Sequence, residues 1–160
     1  MRFPRRVARR TARVLLLDGA DRLLLFRMHD GLWLTPGGGV RWHESLRAAA
    51  ARELGEETGL RVVPSALGRR VAWTGGHADL GWKRGVFEDH FFLHRVTAHE
   101  VDTSGMEEYE SGATTEHRWW PLPELATTTD AVVPLGVVAL LTGILSGAAP
   151  PRPVRLPWHH

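Results

Sequence analysis

The sequence predicts an α/β (α+β) fold in which a mixed β-sheet packs against helices. Extended and helical segments follow one another in the order strands, helix, strands, helix, and no internal repeat is present. The helices are expected at residues 45–58 and 134–146. The length of 160 residues, with 43% apolar and 24% charged residues, suits a single globular domain.

The first part of the chain is expected to form a hairpin. Two β-prone runs, residues 13–17 and 22–26, flank the turn-forming tetrad Asp-Gly-Ala-Asp. A short extended segment at residues 33–35 follows, and Pro36 is expected to end it. The three glycines at 37–39 predict a flexible loop.

The helix predicted at residues 45–58 has clear start and stop signals. Ser45 can cap its N-terminus, four alanines at 48–51 are strong helix formers, and Gly59 can end it. Apolar residues recur at four-residue spacing and predict the face that packs inward: Leu46, Ala50 and Leu54.

The second half of the chain is predicted to return to strands. They are expected at residues 67–74, 86–96 and 117–121, where β-prone residues concentrate. Two longer segments, 75–85 and 102–115, are predicted as loops. Because long loops often carry binding residues, substrate contacts are expected there.

The last predicted helix lies within an uncharged stretch, residues 131–151. A helix over residues 134–146 spans about 20 Å at about 1.5 Å per residue. Since a membrane's hydrocarbon core is about 30 Å thick, no membrane partner is expected. We expect this apolar helix to cover the sheet or to join a homodimer.

The two ends of the chain are predicted to lie outside the domain. Residues 1–12 are crowded with arginines, although the whole chain carries a net charge of only +2. A nucleic-acid contact would explain these arginines. A flexible, solvated arm is favoured, because the rest of the chain has no matching basic stripe. The domain is placed at residues 13–147, and the proline-rich residues 148–160 are predicted to form an extended tail.

The chain contains no cysteine, which excludes disulfides, thiolate metal sites and a cysteine nucleophile. The basic start is followed by only a short apolar run, unlike a secretory signal. These observations favour a cytoplasmic location.

The helix at residues 45–58 carries three glutamates on one face. Glu53 is spaced i,i+3 from Glu56 and i,i+4 from Glu57, and each like-charge pair costs about 0.2–0.5 kcal/mol. The helix dipole disfavours such charges in the last turns by about 0.3–1 kcal/mol each. Arg52 can relieve part of this cost. A Mg²⁺ ion, which prefers oxygen ligands, would relieve more. From this segment alone, a solvated glutamate-rich helix end remains an equal alternative.

The spacing of the flanking residues separates these alternatives. Gly38 is followed after five residues by Glu44, and Glu44 after seven by the run RELGEETGL at residues 52–60. This pattern, with every fixed position filled, resembles the box of the Nudix hydrolase family (MutT-like). The order of the other elements extends the resemblance over most of residues 10–147. It implies a Nudix-type α/β/α sandwich, with the mixed sheet between helices.

The resemblance implies roles for individual residues. Arg52 would orient the carboxylates, and Glu44 would serve as a metal ligand or as the partner of Arg52. The metal would be Mg²⁺, with Mn²⁺ as a substitute. Its ligands would come from the carboxylates and one backbone carbonyl: Glu44, Glu53, Glu56, Glu57 and the carbonyl of Gly38.

The implied activity is Mg²⁺-dependent hydrolysis of a phosphoanhydride bond by an activated water. The substrate would be a small-molecule nucleoside diphosphate linked to another moiety, such as a nucleoside triphosphate or a nucleotide sugar. The general base would come from the box helix or from a later loop. Glu116 is the loop candidate, because it comes directly before the strand expected at residues 117–121.

The substrate is not assigned by sequence markers. The downstream proline of ADP-ribose hydrolases is absent, and the only tyrosine, Tyr109, does not lie where dinucleoside-polyphosphate hydrolases carry theirs. No coenzyme A signature is visible. Six tryptophans within the domain include candidates for stacking on a nucleobase: Trp33, Trp42, Trp73, Trp82, Trp119 and Trp120.

The alternative function is a non-catalytic Nudix-fold protein that binds a nucleotide or has a regulatory role. A degraded box would mark such a protein, and this box is intact. A relationship to isopentenyl-diphosphate isomerases is disfavoured, because their chemistry uses a cysteine.

Overall fold

The sheet and helices follow the predicted order in the computed structural model, which describes residues 6–106 and 112–160. The helices are α1 (Leu46–Thr58), α2 (Leu122–Thr127) and α3 (Val137–Leu145), with a 3₁₀ turn at Pro64–Ala66. The strands are β1 (Val7–Leu17), β2 (Arg22–Met28), β3 (Trp33–Leu34), β4 (Gly37–Gly39), β5 (Arg70–Asp79), β6 (Arg84–Arg95), β7 (Thr114–Pro121), β8 (Val132–Val133) and β9 (Val154–Arg155).

These strands form one mixed sheet with the order β8-β3-β2-β1-β6-β5-β9. β1 runs parallel to β6 along its length, whereas β5 and β6 form an antiparallel hairpin. The predicted first hairpin exists but opens quickly, because β1 and β2 pair only where Leu17 faces Leu23. Beyond that point β4 pairs with β1, and β7 pairs with β2. The sheet therefore divides into two halves, with a gap between β1 and β2.

Both faces of the sheet are covered. The even-numbered residues at the end of β1 point towards α1, and the odd-numbered ones point towards α2 and α3, as the alternation of a strand requires. On the α1 side, the core includes Leu16, Leu24 and Leu54. On the other side it includes Leu15, Phe91 and Leu141. The predicted α/β/α arrangement is confirmed.

The predicted ends of the domain differ from the structure. β1 begins at Val7, so part of the segment predicted as an arm is a strand paired with β6. Its first five residues lie outside the described ranges. The predicted tail contains β9, which pairs in parallel with β5, and Leu156 is buried in the core on the α2–α3 side. Both ends were assigned by composition, whereas their backbone pairing is set by distant strands.

Glycines explain two further differences. The segment predicted as a flexible loop is β4, which lies against β1. The segment predicted as the loop 75–85 consists mainly of the ends of β5 and β6, joined by a turn at residues 80–83. A side chain at Gly76 would collide with Trp158, which packs over it. Glycine in these strands allows close approach and does not mark a loop.

The last helix is shorter than predicted, and it covers the sheet with buried Val137, Leu140 and Leu141. This confirms one of its two expected roles, and the homodimer stays a prediction. Among the described residues, no helix is both long and apolar enough to span a bilayer. The short helix α2 was not predicted; Pro123 near its start fits its position directly after a strand.

Candidate functional site

The box helix α1 begins and ends as the sequence predicts. Ser45 accepts a 3.0 Å hydrogen bond from the Ala48 amide, and Gly59 adopts a left-handed conformation (φ 75°) at the C-terminus. The buried Ala50 and Leu54 and the partly buried Leu46 pack against the sheet. This packing fixes how the helix is rotated against the sheet, and therefore where its carboxylates lie.

Arg52 lies at the centre of the carboxylates. Its Nε and Nη2 each donate a 2.8 Å hydrogen bond to Glu44, one to each carboxylate oxygen. Its Nη1 donates to Glu53 Oε1 at 3.0 Å and lies 3.5 Å from Glu56 Oε2. Nη2 also reaches the carbonyl of Gly39 at 3.1 Å. One guanidinium thus joins α1 to β4 and to the loop that precedes α1.

The charge of Glu44 is strongly favoured in this arrangement. The hydrogen bonds from Arg52 lower the pKa of Glu44 to about 2, and the Arg41 amide, which donates at 3.0 Å, adds to this effect. The same contacts raise the pKa of Arg52 above its ordinary value, because Glu44 accepts from the guanidinium. Both groups are therefore charged across the physiological pH range.

Glu53 and Glu57 are held against the glycine strand β4. Glu57 Oε2 accepts a 2.8 Å hydrogen bond from the Gly37 amide. A Cβ atom added to Gly38 would lie 2.6 Å from Glu53 Oε1, so only glycine lets the backbone approach this carboxylate. Glu53 and Glu57 are only 4% and 7% exposed. Burial of acidic side chains at this level is costly unless they are paired or bind a cation.

Glu56 has looser contacts than the other carboxylates of α1. Its side chain is 27% exposed, and its Oε1 lies 3.9 Å from Arg41 Nη2. Its Oε2 is buried and accepts no hydrogen bond from the residues that the structure describes. Its nearest cation is Arg52 Nη1 at 3.5 Å, a contact that a bound metal ion would replace.

These residues fit a hard divalent cation by their chemistry. The donors are carboxylate oxygens beside a backbone that glycine keeps accessible, which suits Mg²⁺. Across residues 6–106 and 112–160, however, no three His, Asp or Glu side chains are gathered into a ready ligand cluster. The guanidinium of Arg52 lies between Glu44, Glu53 and Glu56 and offsets their charge.

A cavity of about 210 Å³ adjoins Glu57 in the gap between β1 and β2. One end contains Glu57 and the backbone of Gly37–Gly39, and two cations, Arg9 and Arg13, line its wall. The remaining lining is mostly apolar and comes from Phe26, Met28, Leu34, Thr35, Met106, Ala113 and Thr114. Acidic, cationic and apolar surfaces thus meet in one small space.

Arg9 and Arg13 were not predicted as site residues, because Arg9 falls in the segment predicted as an arm and Arg13 at the end of a predicted strand. A usable signal was present: Arg9, Thr11 and Arg13 alternate, and so share one face of a strand. In the structure Thr11 is buried and donates a 2.6 Å hydrogen bond to Asp89. Arg13 donates to the carbonyl of Thr35 at 3.0 Å, which holds it at the cavity.

Glu116, the predicted base from the later loop, lies within a strand. Glu116 lies on β7 opposite Arg27 of β2, and the two form a 3.0 Å ion pair. Arg27 and Glu116 share a face of β2 and β7 with Leu25, whose side chain belongs to the α2–α3 core. Arg27 lies over the ring of Trp33, in the α2–α3 core, which agrees with this orientation. The role of Glu116 as the general base stays a prediction.

Comparison with known proteins supports the assignment reached from the geometry. The family model described as "NUDIX domain" matches residues 7–141. The chain is 33% identical to an RNA pyrophosphohydrolase of Caulobacter vibrioides, over 87% of this chain and 88% of that protein. The chain belongs to the Nudix hydrolase family, whose members generally use divalent metal ions.

Two further similarities are more limited. A 41-residue segment is 56% identical to a putative 8-oxo-dGTP diphosphatase 2 of Mycobacterium tuberculosis, which is 26% of this chain but only 29% of that relative's length. The Nudix domain of Shewanella oneidensis NrtR, solved with ADP ribose, superposes with a TM-score of 0.65 at 20% identity. It covers 89% of this chain and 90% of that domain, and at this identity it shows the shared fold.

Proposed function

We propose that this chain is a Mg²⁺-dependent pyrophosphohydrolase that cleaves a phosphoanhydride bond in a nucleoside diphosphate derivative. The observation that carries the proposal is the meeting of three surfaces in one cavity: the carboxylate Glu57 with the glycine backbone, two arginines and an apolar wall. These surfaces match the metal, the phosphates and the base of such a substrate.

The metal site is assigned to the carboxylates of α1 and the neighbouring backbone. The ligands would be Glu53, Glu56 and Glu57, together with the carbonyl of Gly38. Mn²⁺ would be accepted in place of Mg²⁺, because both ions take oxygen ligands. When bound, the metal would supply positive charge to the phosphate oxygens and acidify the attacking water.

The remaining residues hold and position the reacting groups. Glu44 is bound at both oxygens by Arg52, so we assign it to fixing that guanidinium and not to direct metal contact. Arg52 in turn orients Glu53 and Glu56. Arg9 and Arg13 would contact phosphate oxygens away from the cleaved bond and offset charge on the leaving group.

A glutamate of α1 is the better candidate for the general base, since Glu116 already forms an ion pair with Arg27. We assign this role to Glu53, which is almost fully buried and is oriented by Arg52. A carboxylate in such a place can accept a proton from water during attack on phosphorus.

The test is the release of phosphate or pyrophosphate from a panel of nucleoside triphosphates, nucleotide sugars and 5′-triphosphorylated RNA, with Mg²⁺ and with EDTA. Glu53→Gln and Glu56→Gln are each expected to lower kcat by about 100-fold. Glu116→Gln is expected to keep kcat close to that of the wild type. Glu124→Gln removes a carboxylate from an exposed ion pair with Arg118 and serves as the control.

Mg²⁺ binding is measured separately, from the rise in Tm with Mg²⁺ concentration. The proposal predicts a rise in the wild type and a smaller one in Glu56→Gln. Binding of nucleotides without turnover of any compound would favour the non-catalytic alternative. A large loss of kcat in Glu116→Gln would instead assign the general base to Glu116.

A further inference from the structure

The predicted tail is fixed on β5 by hydrogen bonds that involve three of its residues. The hydroxyl of Thr74, which is fully buried, donates to the carbonyl oxygens of Leu156 and Pro157, each 3.0 Å away. Trp158 Nε1 donates to the carbonyl of His77 at 3.0 Å. The residue that follows Trp158 is therefore held close to the sheet.

A row of buried polar residues leads from this contact across the sheet to β1. Thr74 of β5 pairs with Asp89 of β6, and Asp89 pairs with Thr11 of β1 and accepts its hydrogen bond. Since neighbouring strands lie about 4.8 Å apart, the row is about 10 Å long. Arg13 lies two residues after Thr11 and therefore on the same face of β1. The tail thus packs on the face of the sheet that carries this arginine of the cavity wall.

His159 follows directly after the residues that are fixed on β5. Its Nδ1 is buried and has no hydrogen-bond partner among the residues that the structure describes. Burial lowers the pKa of His159, and the charges of His160 and Arg13 add to this effect, whereas the carboxylate of Asp89 opposes it. The ring is therefore neutral at pH 7 and lies where the charges of both Arg13 and Asp89 act on it.

The long side chain of Arg13 is restrained by the cavity wall at two points. Its Nη1 donates to the carbonyl of Thr35 at 3.0 Å, and an added Cβ at Gly37 would lie 2.5 Å from its Cγ. Within residues 6–106 and 112–160, the bond to Thr35 is the only hydrogen bond of the guanidinium. Because one bond does not fix the plane of a guanidinium, a neighbouring group can determine where its other N–H groups point.

We propose that His159 is a positioning residue for Arg13: its ring limits where the guanidinium can lie and directs it towards phosphate oxygens in the cavity. The inference rests on the proposed function, in which Arg13 contacts the phosphates. His159 is not among the described residues that line the cavity, so its effect on phosphate binding must pass through the arginine. A segment predicted as a tail thereby influences the affinity of the cavity for phosphate.

The test measures the binding of inorganic pyrophosphate in EDTA by isothermal titration calorimetry. Arg13→Gln is expected to raise Kd about tenfold, as loss of one charge-assisted hydrogen bond predicts. His159→Ala keeps the arginine but not its fixed position, and is expected to raise Kd about fivefold. His159→Asn keeps a polar atom close to the position of Nδ1 and should restore most of the loss. His77→Ala removes an exposed histidine beside the tail and is the matched control, with an unchanged Kd.

A double-mutant cycle shows whether His159 acts through Arg13. The variant with both Arg13→Gln and His159→Ala should have the Kd of Arg13→Gln alone, since the histidine then has no arginine to position. A further loss as large as that caused by His159→Ala in the wild type would overturn the inference, because His159 would then act on its own. An unchanged Kd in His159→Ala would overturn it as well. The Tm of each variant is compared with the wild type, so that loss of folding is not taken for loss of binding.

The position of Arg13 can also be followed without a ligand, which separates this inference from the proposed function. NMR relaxation of the arginine side-chain N–H groups reports their order, and the signal of Arg13 is identified by its loss in Arg13→Gln. Its order parameter should fall in His159→Ala and stay unchanged in His77→Ala. An unchanged value in His159→Ala would overturn the inference. Absence of hydrolysis of every compound, with this fall in order intact, would overturn the proposed function alone.

Discussion

Glu44 and Arg52 are joined by two hydrogen bonds of 2.8 Å, and the substitution Glu44→Gln tests what this pair contributes. Glutamine keeps the size of the side chain and one acceptor oxygen. It removes the negative charge and replaces the second acceptor by a donor that faces the guanidinium. Arg52 then keeps its contacts with Glu53 and Glu56 but loses its strongest partner.

The expected loss in the free energy of unfolding is about 2 kcal/mol at pH 7. The two side chains are only 15% and 17% exposed, so the pair lies between two limits. Exposed ion pairs contribute about 0–1 kcal/mol, and breaking a fully buried pair costs about 3–5 kcal/mol. The bidentate geometry and the remaining solvent contact both favour a value between these limits.

The same pair predicts how stability depends on pH. The pKa of Glu44 is lowered from 4.5 to about 2, chiefly by the hydrogen bonds from Arg52. For an acid with a lowered pKa in the folded state, the contribution is fully present above the unfolded pKa and is lost as pH falls through the folded one. The difference between wild type and Glu44→Gln should therefore shrink between about pH 4.5 and pH 2.

The assay is urea denaturation at pH 7, 4 and 3, combined with a double-mutant cycle that uses Arg52→Gln. The exposed Arg118–Glu124 pair is the control, and Glu124→Gln should change stability by less than about 0.5 kcal/mol. A coupling energy below about 0.5 kcal/mol between Glu44 and Arg52 would refute this reasoning. So would a difference between wild type and Glu44→Gln that stays constant from pH 7 to pH 3.

Two more substitutions test the site and the domain boundary. Gly38→Ala places a Cβ 2.6 Å from Glu53 Oε1 and should displace that carboxylate. We expect kcat to fall about tenfold or more and the free energy of unfolding to fall by about 1–3 kcal/mol. Steady-state kinetics measures this effect. The control is Gly55→Ala, where the added Cβ would meet no atom closer than 3.8 Å. Equal activity of the two variants would contradict the prediction. Leu156→Ala should cost about 2–5 kcal/mol by urea denaturation, because this residue of the predicted tail is 7% exposed in the core. Leu135→Ala is the control, because Leu135 is 42% exposed. Similar small losses in the free energy of unfolding for both variants would mean that the tail is not part of the core.

The box helix could be predicted from the sequence because its information is local. Its cap, its inward face and the spacing of its carboxylates depend on residues within a few turns of one another. The resemblance to the family box added Gly38 and Glu44 to the predicted site. In the structure Gly38 lies against Glu53 of the helix, and Glu44 is hydrogen-bonded to Arg52 of the helix. The metal and the roles of these residues stay predictions, as does the cytoplasmic location.

The cavity could not be predicted in the same way, because it depends on pairing between distant strands. Arg9 and Arg13 reach it because β1 pairs with β6, a strand far away in the sequence. Arg9, for example, is paired with Phe87. Composition alone made the first residues resemble a solvated arm. The glycines of β4 resembled a loop for a similar reason: their function is to let backbone approach backbone and a carboxylate, and this needs no side-chain pattern.

Arg52 connects the stability of α1 with the binding of a cation. Three glutamates in the last turns oppose the helix dipole, and the guanidinium offsets this through contacts of 3.0 Å with Glu53 and 3.5 Å with Glu56. A cation bound by these two carboxylates competes for the same oxygens. The two 2.8 Å bonds to Glu44 involve neither of them, so Arg52 can give up its weaker contacts and remain anchored. We therefore expect Glu44 to affect metal affinity without contacting the metal, by keeping Arg52 beside the site when its other contacts are lost.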